Sequence, residues 1–335
     1  PDLGYVLAAT ETALANLGRK TLVVLESTTW PGTTREVLAP MFEAAGLRIG
    51  QDVHLAFSPE RVDPGNTRWG IRDTPKVVGG ITPECTHRAE ALYGAICDTV
   101  HPVSTPESAE MSKIIENTYR AVNIALVNEL AMLADRMGVD IWEAIEASST
   151  KPFGFMPFWP GPGLGGHCIP IDPFYLAWRA RAFDTDSEFV ELAGRINVNM
   201  PYYATSRIAR SLNARGKAVK DAQVLLLGMA YKADVGDLRE SPSLKLLELL
   251  RAEGADVTYH DPHVATLPDE GLSSVELTPE MLAAADCVVI ATAHTAVDLA
   301  IVVEYADLVV DLRNAVRHRL GDGVAGAVPA NVDVL

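Results

Sequence analysis

Cysteine is scarce. The 335 residues hold four, Cys85, Cys97, Cys168 and Cys287, widely scattered and with no C-x-x-C pair. That spacing excludes a disulfide scaffold and the usual zinc motifs, and it points to a reducing compartment, the cytoplasm. Long apolar runs are missing as well. No stretch of roughly 18 apolar residues occurs, so no membrane span is expected. Basic residues are in the minority, with 28 Lys and Arg against 44 Asp and Glu and a formal net charge of -16. A general nucleic-acid binder needs a basic footprint, which this balance does not supply. The same balance still admits one phosphorylated small ligand, for which a few local cations suffice. Nor is the chain poor in apolar residues: 48% are hydrophobic, which excludes disorder. Its length exceeds one ordinary core and implies two or three domains.

The first hundred residues alternate strand and helix patterns. A helix is expected from Tyr5 to Asn16, and strands at Thr21–Leu25, Val53–Phe57 and Lys76–Val78. Helical patterns cover Thr33–Ala45 and Pro83–Cys97. This is the βαβ rhythm of a doubly wound parallel sheet, with about three strands, half a dinucleotide-binding domain. A long helix follows, from about Glu107 to Ser148. Its Met111, Ile115, Val122, Leu126, Leu130, Leu133 and Met137 recur at helical spacing and draw one apolar stripe. The stripe reads either as a linker spine or as a dimer-forming one. Residues 151–173, KPFGFMPFWPGPGLGGHCIPIDP, are too rich in Gly and Pro for regular helix. Helix resumes over Phe174–Leu212. A second α/β unit then begins, with strands at Gln223–Leu227, Asp256–Tyr259, Asp286–Ala291 and Asp307–Asp311 and a helix at Ser243–Ala252.

Gly161, Gly163 and Gly166 match G-x-G-x-x-G, but no strand precedes them and no helix follows. The dinucleotide reading is therefore rejected. A loop whose glycines let backbone approach a ligand is the alternative. Cys168 sits in this loop beside His167, with Asp172 four residues on. A neighbouring base raises thiolate character. The residues alone leave Cys168 open between a small buried hydrophobe and a nucleophile.

At this loop, GPGLGGHCIPIDPFYL resembles the catalytic segment of the UDP-glucose/UDP-N-acetylhexosamine 6-dehydrogenase family. Five further segments resemble that family in order: STTWPGTT (27–34), SPERVDPG (58–65), EMSKIIENTYRAVNIALVNEL (110–130), GMAYKADVGDLRESPSLKLLELL (228–250) and VVDLRN (309–314). The resemblance covers essentially the whole chain. It implies an α/β protein of two Rossmann-like doubly wound domains, the first incomplete, joined by a long central helix and a helical middle domain. The implied divisions are 1–105, the C-terminal half of an NAD-binding domain; 106–215, a central dimerisation domain carrying the cysteine loop; and 216–335, a UDP-sugar-binding domain. The family opens with a strand and an NAD fingerprint. Because the chain starts at Pro1, part of that region is expected to be missing and the chain as given to be inactive.

His167 before Cys168 and Ile169-Pro170-Ile171-Asp172 after it resemble the branch acting on N-acetylated sugars, with UDP-N-acetylglucosamine favoured and UDP-N-acetylmannosamine next. Asp63-Pro64 stands where the UDP-glucose enzymes carry a second Glu. The implied reaction is NAD-dependent four-electron oxidation of the sugar C6 hydroxyl to an acid, through a thiohemiacetal and a thioester on Cys168.

By the same resemblance Lys113 stabilises an alkoxide, Asn117 and Arg120 bind substrate, Glu60 positions the hydrolytic water and Asp172 polarises a proton near the thiol. Ser27, Thr28, Thr29 and Arg239 meet NAD. Arg61, Val62, Gly163, Leu164, Gly165, Tyr231, Lys232 and Arg313 meet the UDP-sugar. Taken singly, Lys113 is a solvated helix lysine, Glu60 a loop charge, Asp172 a turn carboxylate, and each remaining Arg or Lys a surface cation. No metal is expected. The implied assembly is a homodimer or higher homo-oligomer, with no nucleic-acid or membrane partner. The competing readings are a UDP-glucose 6-dehydrogenase and a UDP-sugar-binding fragment without turnover.

Overall fold

The computed structural model describes residues 2–18, 20–63, 66, 68–166, 169–321 and 328–335. They fall into two compact units, 1–120 with 171–190, and 121–170 with 191–335. Elements are numbered in chain order.

The first unit contains α1 (Gly4–Ala15), β1 (Thr21–Leu25), α2 (Ala39–Ala44), β2 (Val53–Phe57), β3 (Lys76–Gly80), α3 (Pro83–Gly94) and β4 (Val100–Pro102). The early part of α4 (Pro106–Met137) and α6 (Asp172–Ala180) complete it. Its sheet has four strands in the order β1-β2-β3-β4. The sequence suggested three parallel strands. Instead β3 runs antiparallel to β2, with Ala56 opposite Gly80 and Phe57 opposite Gly79, and β4 is an added short strand parallel to β3. The reason is local. A parallel return needs a crossover, usually helical, and the described residues between β2 and β3 form no helix. Leu38, Phe42 and Leu55 fill one side of the sheet, and Ala56, Val78, Ala89 and Tyr93 the other.

In the second unit lie the rest of α4, α5 (Ile141–Ser149), most of α7 (Glu188–Ala214), β5 (Gln223–Leu227), α8 (Pro242–Ala252) and β6 (Asp256–His260). A small hairpin follows, β7 (Thr266–Leu267) and β8 (Leu272–Ser273). The chain then adds α9 (Pro279–Ala284), β9 (Cys287–Ile290), α10 (Leu299–Tyr305), β10 (Val309–Asp311), α11 (Ala315–Leu320) and β11 (Val332–Val334). The main sheet is five-stranded, ordered β11-β10-β9-β5-β6 and parallel throughout. Its central run QVLLL is apolar at successive positions because both faces are covered. Val224 and Leu226 pack into one core cluster, Leu225 and Leu227 into the other. Strand β11 is an addition to the expected set.

Two expected helices are interrupted. The long one stops at Met137: Gly138 takes φ +68, and Asp140 then caps α5 by accepting from Trp142 N and Glu143 N. The Phe174–Leu212 stretch divides at Asp184, which is left-handed at φ 53. The apolar stripe of α4 faces outward. Leu126, Leu130, Leu133 and Met137 are exposed, whereas Ala121, Ala125, Ala131 and Ala134 are buried. Small residues take the inward face because they let helices approach closely.

Candidate active site

In the first unit, α4 carries Lys113 and Asn117 one turn apart, so both sit on one face. Asn117 Nδ2 donates to Asp172 Oδ2 at 2.6 Å. Both residues are buried. Asp172 opens α6, so this bond joins two helices, and Lys113, one turn away on α4, is half-buried. Arg120 is exposed. Glu60 follows β2 and lies in the open, where Oε1 accepts from Val62 N at 2.6 Å and Oε2 is 3.8 Å from Lys76 Nζ. Arg61 is engaged elsewhere: it donates to Pro75 O at 2.6 Å and pairs with Glu116 at 2.8 Å. Lys76 also pairs with Glu26 at 3.0 Å. Together with the Tyr93 hydroxyl, it holds that carboxyl below its ordinary range despite partial burial, which acts in the opposite direction.

Ser27, Thr28 and Thr29 follow β1 at its carboxyl end, where open α/β sheets receive ligands. Glu110 organises the segment after them. Fully buried, it accepts from Gly32 N, from Thr34 N at 2.8 Å and from Thr34 Oγ1 at 2.7 Å. Burial raises its carboxyl pKa, opposed by those bonds.

In the second unit, the loop before Cys168 is held from behind. Asn128 is fully buried: its Oδ1 accepts from Gly161 N at 3.0 Å, and its Nδ2 donates to Asn197 Oδ1 at 3.0 Å. Gly166 N donates to Arg239 O at 2.9 Å. The glycines are required by close approach. A Cβ on Gly161 would lie 2.5 Å from Arg313 Nη1, and one on Gly165 would lie 2.5 Å from Tyr231 Cβ. Thus Tyr231 and Arg313 converge on this loop. Gly163 and Leu164 are half-buried within it.

Arg313 follows β10, donates Nε to Ala291 O at 2.8 Å, and is pushed down to about 10 by desolvation. Arg239 is exposed and forks onto Asp237. Tyr231 N donates to Asp237 O at 3.0 Å, and Lys232 follows, half-buried. Cys168 and His167 lie outside the described residues.

The sequence did not single out Glu110, Asn128 or Asp261. Asp261 is a buried carboxylate just beyond β6. Its Oδ2 accepts from Met229 N (2.7 Å), Ala230 N (3.0 Å) and His294 Nε2 (3.1 Å). Its Oδ1 accepts from His263 N (2.7 Å) and Val264 N (3.0 Å). It therefore fixes the turn that leads to Tyr231 and Lys232. Asp234, His263 and His294 approach within 4.8 Å of one another, as metal ligands would. His294 has no lone pair to offer, because Nδ1 already accepts from Asp234 N at 3.0 Å and Nε2 carries the proton given to Asp261.

Each of the two units carries an α/β sheet of the class that receives nucleotide ligands at the carboxyl ends of its strands. Family comparison makes this specific. Residues 1–97 match the NAD binding domain of the UDP-glucose/GDP-mannose dehydrogenase family, 107–199 its central domain and 225–318 its UDP binding domain. The UDP-N-acetyl-D-mannosamine dehydrogenase of Pyrococcus horikoshii is 37% identical over 294 residues, 88% of this chain and 68% of that protein. The UDP-N-acetyl-D-glucosamine 6-dehydrogenase of Pseudomonas aeruginosa is 35% identical over 300 residues, 88% of this chain and 70% of that protein. The solved UDP-D-ManNAc dehydrogenase of P. horikoshii superposes with a TM-score of 0.88 at 33% identity, covering 100% of this chain and 76% of the other. The chain therefore belongs to the UDP-glucose/GDP-mannose dehydrogenase family, whose cofactor is NAD. The first unit fits that cofactor at one telling atom: Thr29 Oγ1, beyond the end of β1, is buried and has no hydrogen-bond partner among the described residues. No helix among the described residues is long and apolar enough to cross a membrane.

Proposed function

We propose that the protein oxidises the C6 hydroxyl of a UDP-N-acetylhexosamine to the acid, with UDP-N-acetylglucosamine the first substrate and UDP-N-acetylmannosamine the second. The observation that supports it most is the buried Asn117–Asp172 bond one helical turn from Lys113, which joins the helix carrying Lys113 to the helix that follows the cysteine loop. NAD+, when bound, accepts the hydrides. In this reading Lys113 stabilises the C6 alkoxide, and the Cys168 thiolate captures the aldehyde and carries the thioester. Asp172, oriented by Asn117, holds a proton near that sulfur. Glu60 orients the water that releases the acid. Ser27, Thr28 and Thr29 take the nicotinamide side, with Arg239. Arg61, Val62, Arg120, Gly163, Leu164, Gly165, Tyr231, Lys232 and Arg313 bind the UDP-sugar. Functional divisions fall at 1–105, 106–215 and 216–335. The test counts NADH formed per UDP-N-acetylglucosamine, UDP-N-acetylmannosamine and UDP-glucose consumed. Two NADH per sugar with one N-acetylated substrate supports the reading; one or none with every UDP-sugar refutes it.

The close approach at Gly161 gives a further expectation. Gly161→Ala drives a Cβ against Arg313 Nη1 and displaces the guanidinium. Losing a charge-assisted contact costs about 1.5–3 kcal/mol, so KM for the UDP-sugar should rise roughly ten- to hundred-fold. Steady-state kinetics that leave KM unchanged would remove Arg313 from the substrate site.

The outward stripe of α4 supports a homodimer. Leu126, Leu130, Leu133 and Met137 repeat at heptad spacing, and all are at least two-fifths exposed. Such a contiguous apolar surface favours burial against a second copy. Leu130→Asp together with Leu133→Asp should yield a monomer in sedimentation equilibrium at micromolar concentration. An unchanged dimer would locate the interface elsewhere.

A further inference from the structure

One face of α4 carries Glu110, Lys113 and Asn117, which fall within a narrow arc at about 100° per residue. Two of the three are tied to other elements of the first unit, one on either side of Lys113. Asn117 reaches Asp172 at the start of α6. Glu110 reaches the segment between β1 and α2, where its Oε2 accepts from Gly32 N and its Oε1 from Thr34 N and Thr34 Oγ1. One turn earlier on α4, Glu107 pairs with Arg35 of the same segment at 2.5 Å. Helix α6 grips that segment from its own side, through Trp178 against Trp30 and Arg179 with Glu36.

The choice of a carboxylate at position 110 has a physical reason. Gly32 N and Thr34 N lie past the carboxyl end of β1, where open α/β sheets hold ligand anions. Here the chain's own carboxylate takes both amides, and Glu110 is 0% exposed. Only an ionised carboxyl accepts from three donors in two directions without presenting a proton of its own. The turn that opens there is π-helical over Thr34–Leu38, with Ala39 N donating to Thr34 O five residues back. Such widened turns are rare and concentrate at functional sites. Ser27 is exposed and Thr28 half-buried at the head of the segment. Their side chains are open to a ligand, while the residues just behind them are clamped.

We propose that Glu110 is a positioning residue for the oxidation: it fixes Ser27 and Thr28, on the nicotinamide side, at a set offset from Lys113 on its own helix. This role rests on the functions proposed above for those three residues, and Glu110 acts only through them.

Substitution at 110 and 34 tests it. In Glu110→Gln one oxygen becomes an NH2, so either Gly32 N–H or the Thr34 donors face another donor. A misplacement of about 1 Å costs roughly a hundred-fold in rate. The expected kcat is lower by about that factor, with KM for the UDP-sugar changed less than about two-fold. Amide hydrogen exchange, measured without cofactor or sugar, should quicken at residues 27–34 and stay unchanged in β2–β4. Thr34→Val removes only the Oγ1 bond. It should lower kcat about three-fold in the native background and not at all in Glu110→Ala, which has no carboxylate to lose. If the Glu110 variants do not fold, Thr34→Val decides: lower kcat at unchanged KM with faster exchange at 27–34 supports the role, and native kcat overturns it. With the native protein turning over, a kcat within about two-fold of native in Glu110→Gln, unchanged exchange at 27–34, or a Thr34→Val effect that persists in Glu110→Ala would each overturn it alone. A native protein that forms no NADH from any UDP-sugar would refute the proposed reaction, and the positioning role with it.

Discussion

Cys168→Ala should abolish acid formation from the UDP-N-acetylhexosamine, by about a thousand-fold or more, while a first oxidation persists. In the proposed reaction the thiolate serves only the second half, which separates the two outcomes. Alcohol oxidation needs a base, a positive group near the alkoxide and the cofactor. It does not need sulfur. Without the thiol the aldehyde has nothing to hold it, so product should appear as free or hydrated aldehyde with one NADH per sugar. Cys168→Ser should behave similarly, since a hydroxyl is far less nucleophilic near neutral pH. The measurement is NADH stoichiometry beside mass spectrometry of the sugar product. Two NADH per sugar from the alanine variant would exclude covalent capture and leave Asp172 and Glu60 without their proposed roles.

Asp261→Ala should be among the most destabilising single changes in the second unit. It strands five donors at once: four backbone N–H groups and His294 Nε2. Breaking a buried charged network by removing one member costs about 3–5 kcal/mol, so Tm should fall by roughly 10 °C. The hydrogen bonds hold the Asp261 carboxyl down to about 2, below its ordinary 3.8, although burial alone would raise it. The carboxylate therefore favours the folded state above pH 4. That contribution, about 2 kcal/mol, should be lost as pH falls from 4 towards 2. Urea unfolding at pH 6, 4 and 3 would show it. If native protein and Asp261→Asn lose the same stability between pH 6 and 3, another carboxylate governs the acid limb. A comparable effect on KM for the UDP-sugar is expected, because the same carboxylate sets the turn ahead of Tyr231 and Lys232.

The parts legible in the sequence are those where chemistry repeats along the chain. Strand β5 is readable because both faces are buried, which demands an unbroken apolar run. Other features depend on partners distant in sequence. The long helix was recognisable from its stripe, but not which face turns inward: the large residues Leu126 and Leu130 are exposed and the alanines are buried. The direction of β3 follows from the lack of helix among the described residues between β2 and β3, a weaker signal than a motif. Among site residues, the glycine loop, Lys113 and Asn117 stood out through family wording. Glu110 could not, because it serves the backbone at Gly32 and Thr34, some 76–78 residues earlier. Asn128 likewise acts on Gly161, 33 residues later. A carboxylate or amide that pins a distant N–H leaves no local pattern.

The first unit is discontinuous, made of residues 1–120 and then 171–190. Its closing contacts are Asn117 with Asp172, Glu36 with Arg179 and Trp30 with Trp178, the two rings 4.8 Å apart. On the ribosome, the four strands described in this unit are therefore made well before the segment that closes it. At roughly 5–20 residues per second, the nascent chain spends several seconds with Asp172 not yet present and the apolar flank of Trp30 uncovered. That interval is when a chaperone would be needed, and a stalled chain ending before residue 171 should bind one.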